Sequence, residues 1–416
     1  MDKNYKKTLL IILITFVLTS LYFVTAIVCY HSGKKAGRQS VSNVTDTGAG
    51  QQTLSDVTTV TTETTADIST ANTSKVTNEI TTIQDEHQPK ITSKENNEET
   101  KASGAVEEES QGITPLITHG KLHVNGIDLV DENNQIFQLK GVSTHGLQWY
   151  PEYINYDSFK TLRDDWHANV IRLAMYTGEG GYMTGSNQAE LEAKIDEGVS
   201  YCTQLGMYCI IDWHILSDGN PNQYKEGAKD FFRKMSEKYK GHKNILYEIC
   251  NEPNGGVSWS EVKSYADEII SAIRSNDNDA IIIVGTPSWS QDVDVVAENP
   301  VTNPHNVMYS LHFYAATHKE SLRNKVITAR NNQTPVIISE FSICEASGNG
   351  SIDYDSATQW SDLIDNNNLS YIGWNLSNKD ELSALIASDC SKTSGWSINE
   401  LSETGKWLHE KMTKAN

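Results

Sequence analysis

The chain has 416 residues, a formal net charge of −20 and six cysteines. So acidic a composition excludes a nucleic-acid binder, whose partner demands a basic surface; its plain meaning is solubility. Cys29 lies in an apolar run, and Cys202, Cys209, Cys250, Cys344 and Cys390 are odd in number, without the spacing of a zinc site or a disulfide framework.

Residues 9–30 are apolar or small and carry no charge. At about 1.5 Å per residue this run is long enough to cross a hydrocarbon core of about 30 Å. Lys3, Lys6 and Lys7 precede it, as positive-inside orientation requires, while Lys34, Lys35 and Arg38 on the far side pull the other way. The expectation is an uncleaved signal-anchor within residues 1–38. A cleaved signal peptide is the competing reading, with small residues at Val24, Thr25 and Ala26. Either form exports the rest of the chain. Residues 39–112 contain no Phe, Trp, Tyr or Cys and are dominated by Thr, Ser, Glu and Asn. Such a stretch buries too little apolar surface to offset its chain entropy, so it is expected to be a disordered stalk.

A folded domain is expected over residues 113–416. Residues 121–130 and 135–142 alternate apolar and polar side chains around the turn-rich cluster Asp131 to Asn134, and predict a β-hairpin. Beyond it the chain settles into a strand-then-helix rhythm. The candidate strands are 138–143, 169–175, 208–213, 245–250, 280–285, 307–312, 335–339 and 371–374. They are short and largely apolar, as parallel strands covered on both faces should be. Between them the apolar spacing is helical, for example Phe231, Phe232, Met235 and Tyr239 opposite a face of lysines and glutamate. Eight such units over this length predict an α/β fold, the (β/α)8 TIM barrel. A doubly wound open sheet is the alternative, but no Gly-rich turn comes after the first strand.

Barrel enzymes work at the C-terminal ends of their strands. Collected there, in chain order, are His145 and Trp149, Arg172 and Tyr176, His214, Asn251 and Glu252, Trp289, His312 and Tyr314, Glu340, and Trp374 with Lys379 and Glu381. Polar groups concentrated at one end need partners, and a ligand is the simplest source. Indoles stack on the C–H faces of sugars, and polar side chains read hydroxyls. Glycosidic bond cleavage needs two carboxyl groups, and Glu252 and Glu340 supply one each. The histidines and glutamates lack the spacing of H-E-x-x-H or a facial triad, so no metal is expected. No G-x-S-x-G elbow marks a serine nucleophile.

These motifs resemble glycoside hydrolase family five, and most closely its bacterial endoglucanase (cellulase) branch. The likeness rests on residues 139–149, 169–176, 211–214, 251–253, 339–340, 343–350 and 373–379, in that order. It implies a retaining endo-β-1,4-glucanase with Glu252 as acid/base and Glu340 as nucleophile. Arg172 and Tyr314 would then hold Glu340, Asn251 would meet the sugar 2-hydroxyl, and His312 would tune Glu252. His145 and His214 would line the central subsite with Trp374 stacking the sugar. Tyr176 joins this substrate-binding set. Trp149, Lys379 and Glu381 would serve the non-reducing side and Trp289 the leaving-group side. No cofactor is implied. The expected partners are a β-1,4-glucan and, through residues 9–30, a membrane; a monomer is expected. Phe341 stands where many relatives have Trp, which touches subsite packing. No further carbohydrate-binding module is expected, so soluble or amorphous glucan is the expected substrate. Mannan, xyloglucan and mixed-linkage glucan remain open within the same chemistry. A surface carbohydrate-binding protein that has lost catalysis would lack one of the two glutamates, and a structural adhesin would explain only the stalk.

Overall fold

A computed structural model describes residues 113–185 and 187–414 of the protein. The predicted membrane segment and stalk lie outside the described residues. Among the described residues, no helix is long and apolar enough to cross a membrane.

The described chain opens with a short helix, α1 (Pro115–His119), capped by Thr114, whose side chain accepts from the Ile117 N–H. Next comes an antiparallel pair, β1 (His123–Asn125) with β2 (Asp128–Val130). This corrects the expected hairpin, because both arms fall inside its first half. The chain turns at Gly126, whose φ of 62° suits glycine. The cluster at Asp131 also turns, since its carboxylate accepts from the Asn133 and Gln135 N–H groups. Its second arm contributes only the isolated bridge of Ile136 to Val130. Beyond that, residues 140–144 are claimed by parallel neighbours on both sides and cannot also pair with the hairpin.

Eight parallel strands close the barrel: β3 (Lys140–Thr144), β4 (Val170–Tyr176), β5 (Tyr208–His214), β6 (Ile245–Glu248), β7 (Ile281–Val284), β8 (Val307–Tyr314), β9 (Val336–Ser342) and β10 (Tyr371–Leu376), with β10 pairing back to β3. Outside them run α2 (Tyr156–Asp164), α3 (Gln188–Gln204), α4 (Lys225–Lys238), α5 (Trp259–Arg274), α6 (Glu320–Asn331), α7 (Tyr354–Asn366) and α8 (Glu403–Thr413). Each buries an apolar stripe. In α4 the stripe is Ala228, Phe231, Phe232 and Met235. The start of α5 is set by a capping box between Ser258 and Glu261.

The two-residue period of a strand sorts its side chains between the barrel axis and the helices. On β5, Tyr208 and Ile210 belong to the inner core, whereas Cys209, Ile211 and Trp213 belong to the core under the helices. Trp213 packs against Tyr182 and Phe231, so it is a core residue and His214 is the one turned inward. Leu246, Ile281, Met308, Ile337 and Ile372 complete the inner layer, which Leu122 and Leu129 of the N-terminal segment close from below. Two positions further along the strands the interior becomes polar: Ser143, Arg172, Asp212, Glu248, Ser310 and Ser339 are all fully buried. The site stands on this polar layer.

One irregularity matters for the chemistry. Pairing of β8 with β9 runs from Ser310 with Ile337 to His312 with Glu340, so β9 carries one extra residue there. The same extra residue appears against β10, between the pairs Tyr371 with Ile338 and Gly373 with Phe341. A β-bulge of this kind re-aims a side chain. It allows the consecutive residues Ser339 and Glu340 both to face the barrel axis, where each is hydrogen-bonded.

Candidate active site

A cleft of about 570 Å³ opens at the C-terminal ends of the strands. His145, Trp149, Tyr176, His214, Glu252, Trp289, His312, Tyr314, Glu340, Trp374, Lys379 and Glu381 all line it. Arg172 and Asn251 stand behind that surface, each without exposure. Asn251 Oδ1 accepts from Arg172 at 2.6 Å, and its amide nitrogen lies 3.0 Å from the Ile215 carbonyl and 3.2 Å from His214 Nε2. Both N–H groups of Asn251 thus face protein acceptors, while its oxygen, which takes one hydrogen bond from Arg172, keeps a second lone pair.

Glu252 and Glu340 leave the barrel from the fourth and seventh barrel strands, yet a carboxylate oxygen of each and a ring nitrogen of His312 lie within 4.8 Å of one another. Glu340 accepts from the Tyr314 hydroxyl at 2.8 Å and from Arg172 at 3.2 Å. Glu252 Oε1 lies 3.0 Å from His312 Nδ1. The same three groups have the proximity of a metal site, but both ring nitrogens of His312 are engaged, Nε2 by Ser339 at 3.0 Å.

The charges beneath are uneven. One guanidinium, Arg172, faces Asp212 at 3.0 Å, Glu248 at 2.7 Å and Glu340 at 3.2 Å. Burial pushes the Glu248 carboxyl up, but Arg172 and His312 outweigh it and hold it at about 2. Burial pushes Asp212 well above the carboxylate range, with Glu248 and Glu340 adding to the effect against Arg172. Its Oδ1 has no hydrogen-bond partner. Burial also raises Glu340, helped by Glu252 and opposed by His312, Arg172 and Tyr314. His312 is depressed by burial, yet Glu340, Glu248 and Glu252 together lift it to about 9.

The aromatic wall has its own order. Trp374 stacks on His214 at 5.2 Å between ring centres and 13° between planes. His214 is driven well below its ordinary value by burial, so the ring is neutral. Asn251 donating to its Nε2 leaves the hydrogen on Nδ1, which donates to Asp212 at 2.7 Å. His145 is lowered to about 4 by burial and by Lys379. Lys379 pairs with Glu381 at 2.6 Å, and Glu381 is fixed further by Asn375 and Ser383. Trp149 and Trp289 are about half exposed, at 43% and 50%, and offer ring faces to solvent. Trp289 sits in a turn where Ser288, Trp289 and Ser290 all have positive φ, a conformation costly for residues with a side chain.

Glu248, Asp212 and Ser339 are not among the residues that the sequence brings to the strand ends. The available signal was a charge within an otherwise apolar buried strand, which is unstable without a partner. The cleft also includes Glu179, Gln291 and His318, which no motif singled out.

A family model described as cellulase, glycosyl hydrolase family 5, matches residues 130–380. An endoglucanase of Clostridium saccharobutylicum is 48% identical over 298 residues, covering 71% of this chain and 66% of that protein. Endoglucanase 5 of Pectobacterium carotovorum subsp. carotovorum is 45% identical over 300 residues, covering 72% of this chain and 59% of that protein. The chain thus matches less than two thirds of the length of these curated relatives. Among solved structures, the catalytic domain of a Thermobifida fusca endoglucanase in complex with cellotetraose superposes with a TM-score of 0.69 at 36% identity, covering 72% of this chain and 100% of that one. With the barrel closed, the two glutamates side by side and the family model spanning more than half of the sequence, the chain belongs to the cellulase family, glycosyl hydrolase family 5.

Proposed function

We propose that the protein is a retaining endo-β-1,4-glucanase in which Glu340 is the nucleophile and Glu252 the acid/base. The observation that carries this reading is the pair of carboxylates, from the fourth and seventh barrel strands, within 4.8 Å of each other in an indole-walled cleft. Inverting enzymes hold theirs roughly 6.5–9.5 Å apart to admit a water between them. In the first step Glu340 attacks the anomeric carbon while Glu252 protonates the departing oxygen; the glycosidic C–O bond breaks and an ester forms. In the second, Glu252 takes a proton from water as the water oxygen displaces Glu340. Arg172 and Tyr314 hold the attacking oxygens by hydrogen bonds. Trp374 offers a stacking face at the point of cleavage, with His145 and His214 beside it. Trp149, Lys379 and Glu381 extend the cleft on the non-reducing side, and Trp289 on the other.

The substrate is inferred from the endoglucanases that this chain resembles and from the neutral, aromatic character of the wall. Incubation with carboxymethylcellulose, mixed-linkage β-glucan, xyloglucan and β-mannan, with new reducing ends assayed, tests it. Release from carboxymethylcellulose is the expected result. Activity confined to mannan or xyloglucan would keep the chemistry and replace the substrate.

The pH dependence has a defined sign. Glu340 must be ionised to attack. Burial and the neighbouring Glu252 raise its proton affinity, so it stays protonated to a higher pH than an ordinary glutamate near about 4.3. The acid limb of kcat/KM is therefore expected above that value, with activity lost as pH falls through it. An acid limb at or below about 4 would contradict this assignment.

Residues 9–30 support a further reading of location. Their uncharged apolar run, with a Thr/Ser-rich stretch after it, fits an exported enzyme tethered at the cell surface. Membrane fractionation tests it, and recovery of all activity from the culture medium would count against a tether.

A further inference from the structure

The polar layer beneath the two glutamates is a continuous chain of hydrogen bonds, and from Arg172 as far as His312 Nε2 the available donors fix their direction. Arg172 has only donors to offer, and its Nε donates to Glu248 Oε2 at 2.7 Å. Glu248, beside that guanidinium, is an ionised acceptor. The Ser339 hydroxyl donates to Glu248 Oε1 at 2.6 Å. A serine has one hydrogen to give, so towards His312 its oxygen can only accept. That oxygen lies 3.0 Å from His312 Nε2, so Nε2 carries a hydrogen. The other ring nitrogen, Nδ1, lies 3.0 Å from Glu252 Oε1.

We propose that Ser339 and Glu248 are positioning residues that lock His312 in its Nε2–H form, confining the one mobile proton of the His312–Glu252 pair to Nδ1 and the Glu252 carboxyl. The inference rests on Glu252 being the acid/base. The proton balance is simple. When the proton is on Nδ1, Glu252 is ionised; when it is on Glu252, Nδ1 accepts, and the acid is ready for the departing oxygen. The first step delivers that proton to the leaving group, and the second restores it from water. The far end of the chain is Arg172, which also holds Glu340, so one set of buried side chains orients both glutamates. The logic is that of a buried group fixing a catalytic histidine's tautomer from behind.

Cutting the chain should remove the acid without removing the nucleophile. In Ser339→Ala the Nε2–H loses its 3.0 Å acceptor and is left only the Glu248 carboxylate at 3.8 Å, too far for a hydrogen bond, which is costly. The ring sheds that hydrogen and keeps the one on Nδ1, facing an ionised Glu252 that has nothing to donate. Glu248→Gln acts at the next link. Its amide can keep its oxygen towards Arg172 only by turning NH2 towards Ser339, so the serine accepts there, its hydrogen is freed for Ser310 or His312, and the acceptor that holds Nε2–H is no longer fixed. Ser339→Thr retains the hydroxyl and is the conservative control.

The experiment compares two substrates on the full chain: cellotetraose, whose sugar leaving group must be protonated, and 2,4-dinitrophenyl β-cellobioside, whose phenolate leaves unaided. Expected in Ser339→Ala and Glu248→Gln is a fall in kcat/KM of about 10²-fold on cellotetraose, the low end for general acid catalysis. On the aryl glycoside the formation of the glycosyl-enzyme should change by less than about threefold on the same reasoning. Ser339→Thr should recover most of the loss. ¹⁵N-histidine NMR of the unaltered protein should show a hydrogen on His312 Nε2. Equal losses on both substrates, no loss on cellotetraose, or a bare Nε2 in the unaltered protein would each overturn the proposal. An unaltered protein inactive on both substrates would instead bring down the glucanase reading, and this inference with it.

Discussion

Glu340→Gln should lower kcat on carboxymethylcellulose by on the order of 10⁴-fold or more, at roughly 1.4 kcal/mol of barrier per decade. The amide keeps the size of the side chain and can still accept from Tyr314, which donates to this position at 2.8 Å. It cannot form the ester on which a double displacement depends. Its environment also makes the exchange mild for the fold. Glu340 shares Arg172 with Asp212 and Glu248, so the guanidinium keeps the ionised Glu248 and the Asp212 carboxyl as partners when the third is neutralised. Thermal unfolding should therefore move by only a few degrees. A variant that retains more than about one per cent of kcat, beyond what deamidation back to glutamate supplies, would remove Glu340 from the nucleophile's place.

Arg172→Met should be the most damaging single change to stability, costing about 3–5 kcal/mol, because removing one member of a buried ionic group strands the others. Arg172 is wholly buried and is the guanidinium that faces Asp212, Glu248 and Glu340. Without it, Glu248 loses the partner that keeps it low and Glu340 loses one of the groups opposing its protonation. A melting temperature lower by about 5–8 °C is expected for a domain of this size. Any activity that remains should show its acid limb displaced to still higher pH, since Glu340 then binds its proton more tightly. A melting point within about 2 °C of the unaltered protein would mean that the layer is held by something other than this charge balance.

The two changes separate what a strand end contributes from what the layer beneath it contributes, and sequence and tertiary structure divide along the same line. The eight barrel strands were legible because parallel strands covered on both faces must be continuously apolar, so runs such as 281–284 announce themselves. Once a barrel is inferred, its topology sends every strand's end to one rim, which is why Glu252 and Glu340 could be paired although 88 positions apart in sequence. The hairpin was misplaced because the alternation of residues 135–142 suits either an antiparallel arm or an inner barrel strand. Competition from β4 and β10 for the same backbone groups decided between them.

What the sequence determined by itself was the barrel and the residues at its rim, since both come from local periodicity and from a topology with few alternatives. Only the tertiary structure decided how those residues are charged and aimed. The extra residue in β9 turns Ser339 and Glu340 to the same side. The ring from Glu252 through His312, Ser339, Glu248 and Arg172 to Glu340 draws on four different strands and the end of one of them. Hydrogen-bond direction and proton affinity depend on distances of about 3 Å between side chains remote in sequence. Local periodicity carries no information about such distances; packing of the closed barrel sets them.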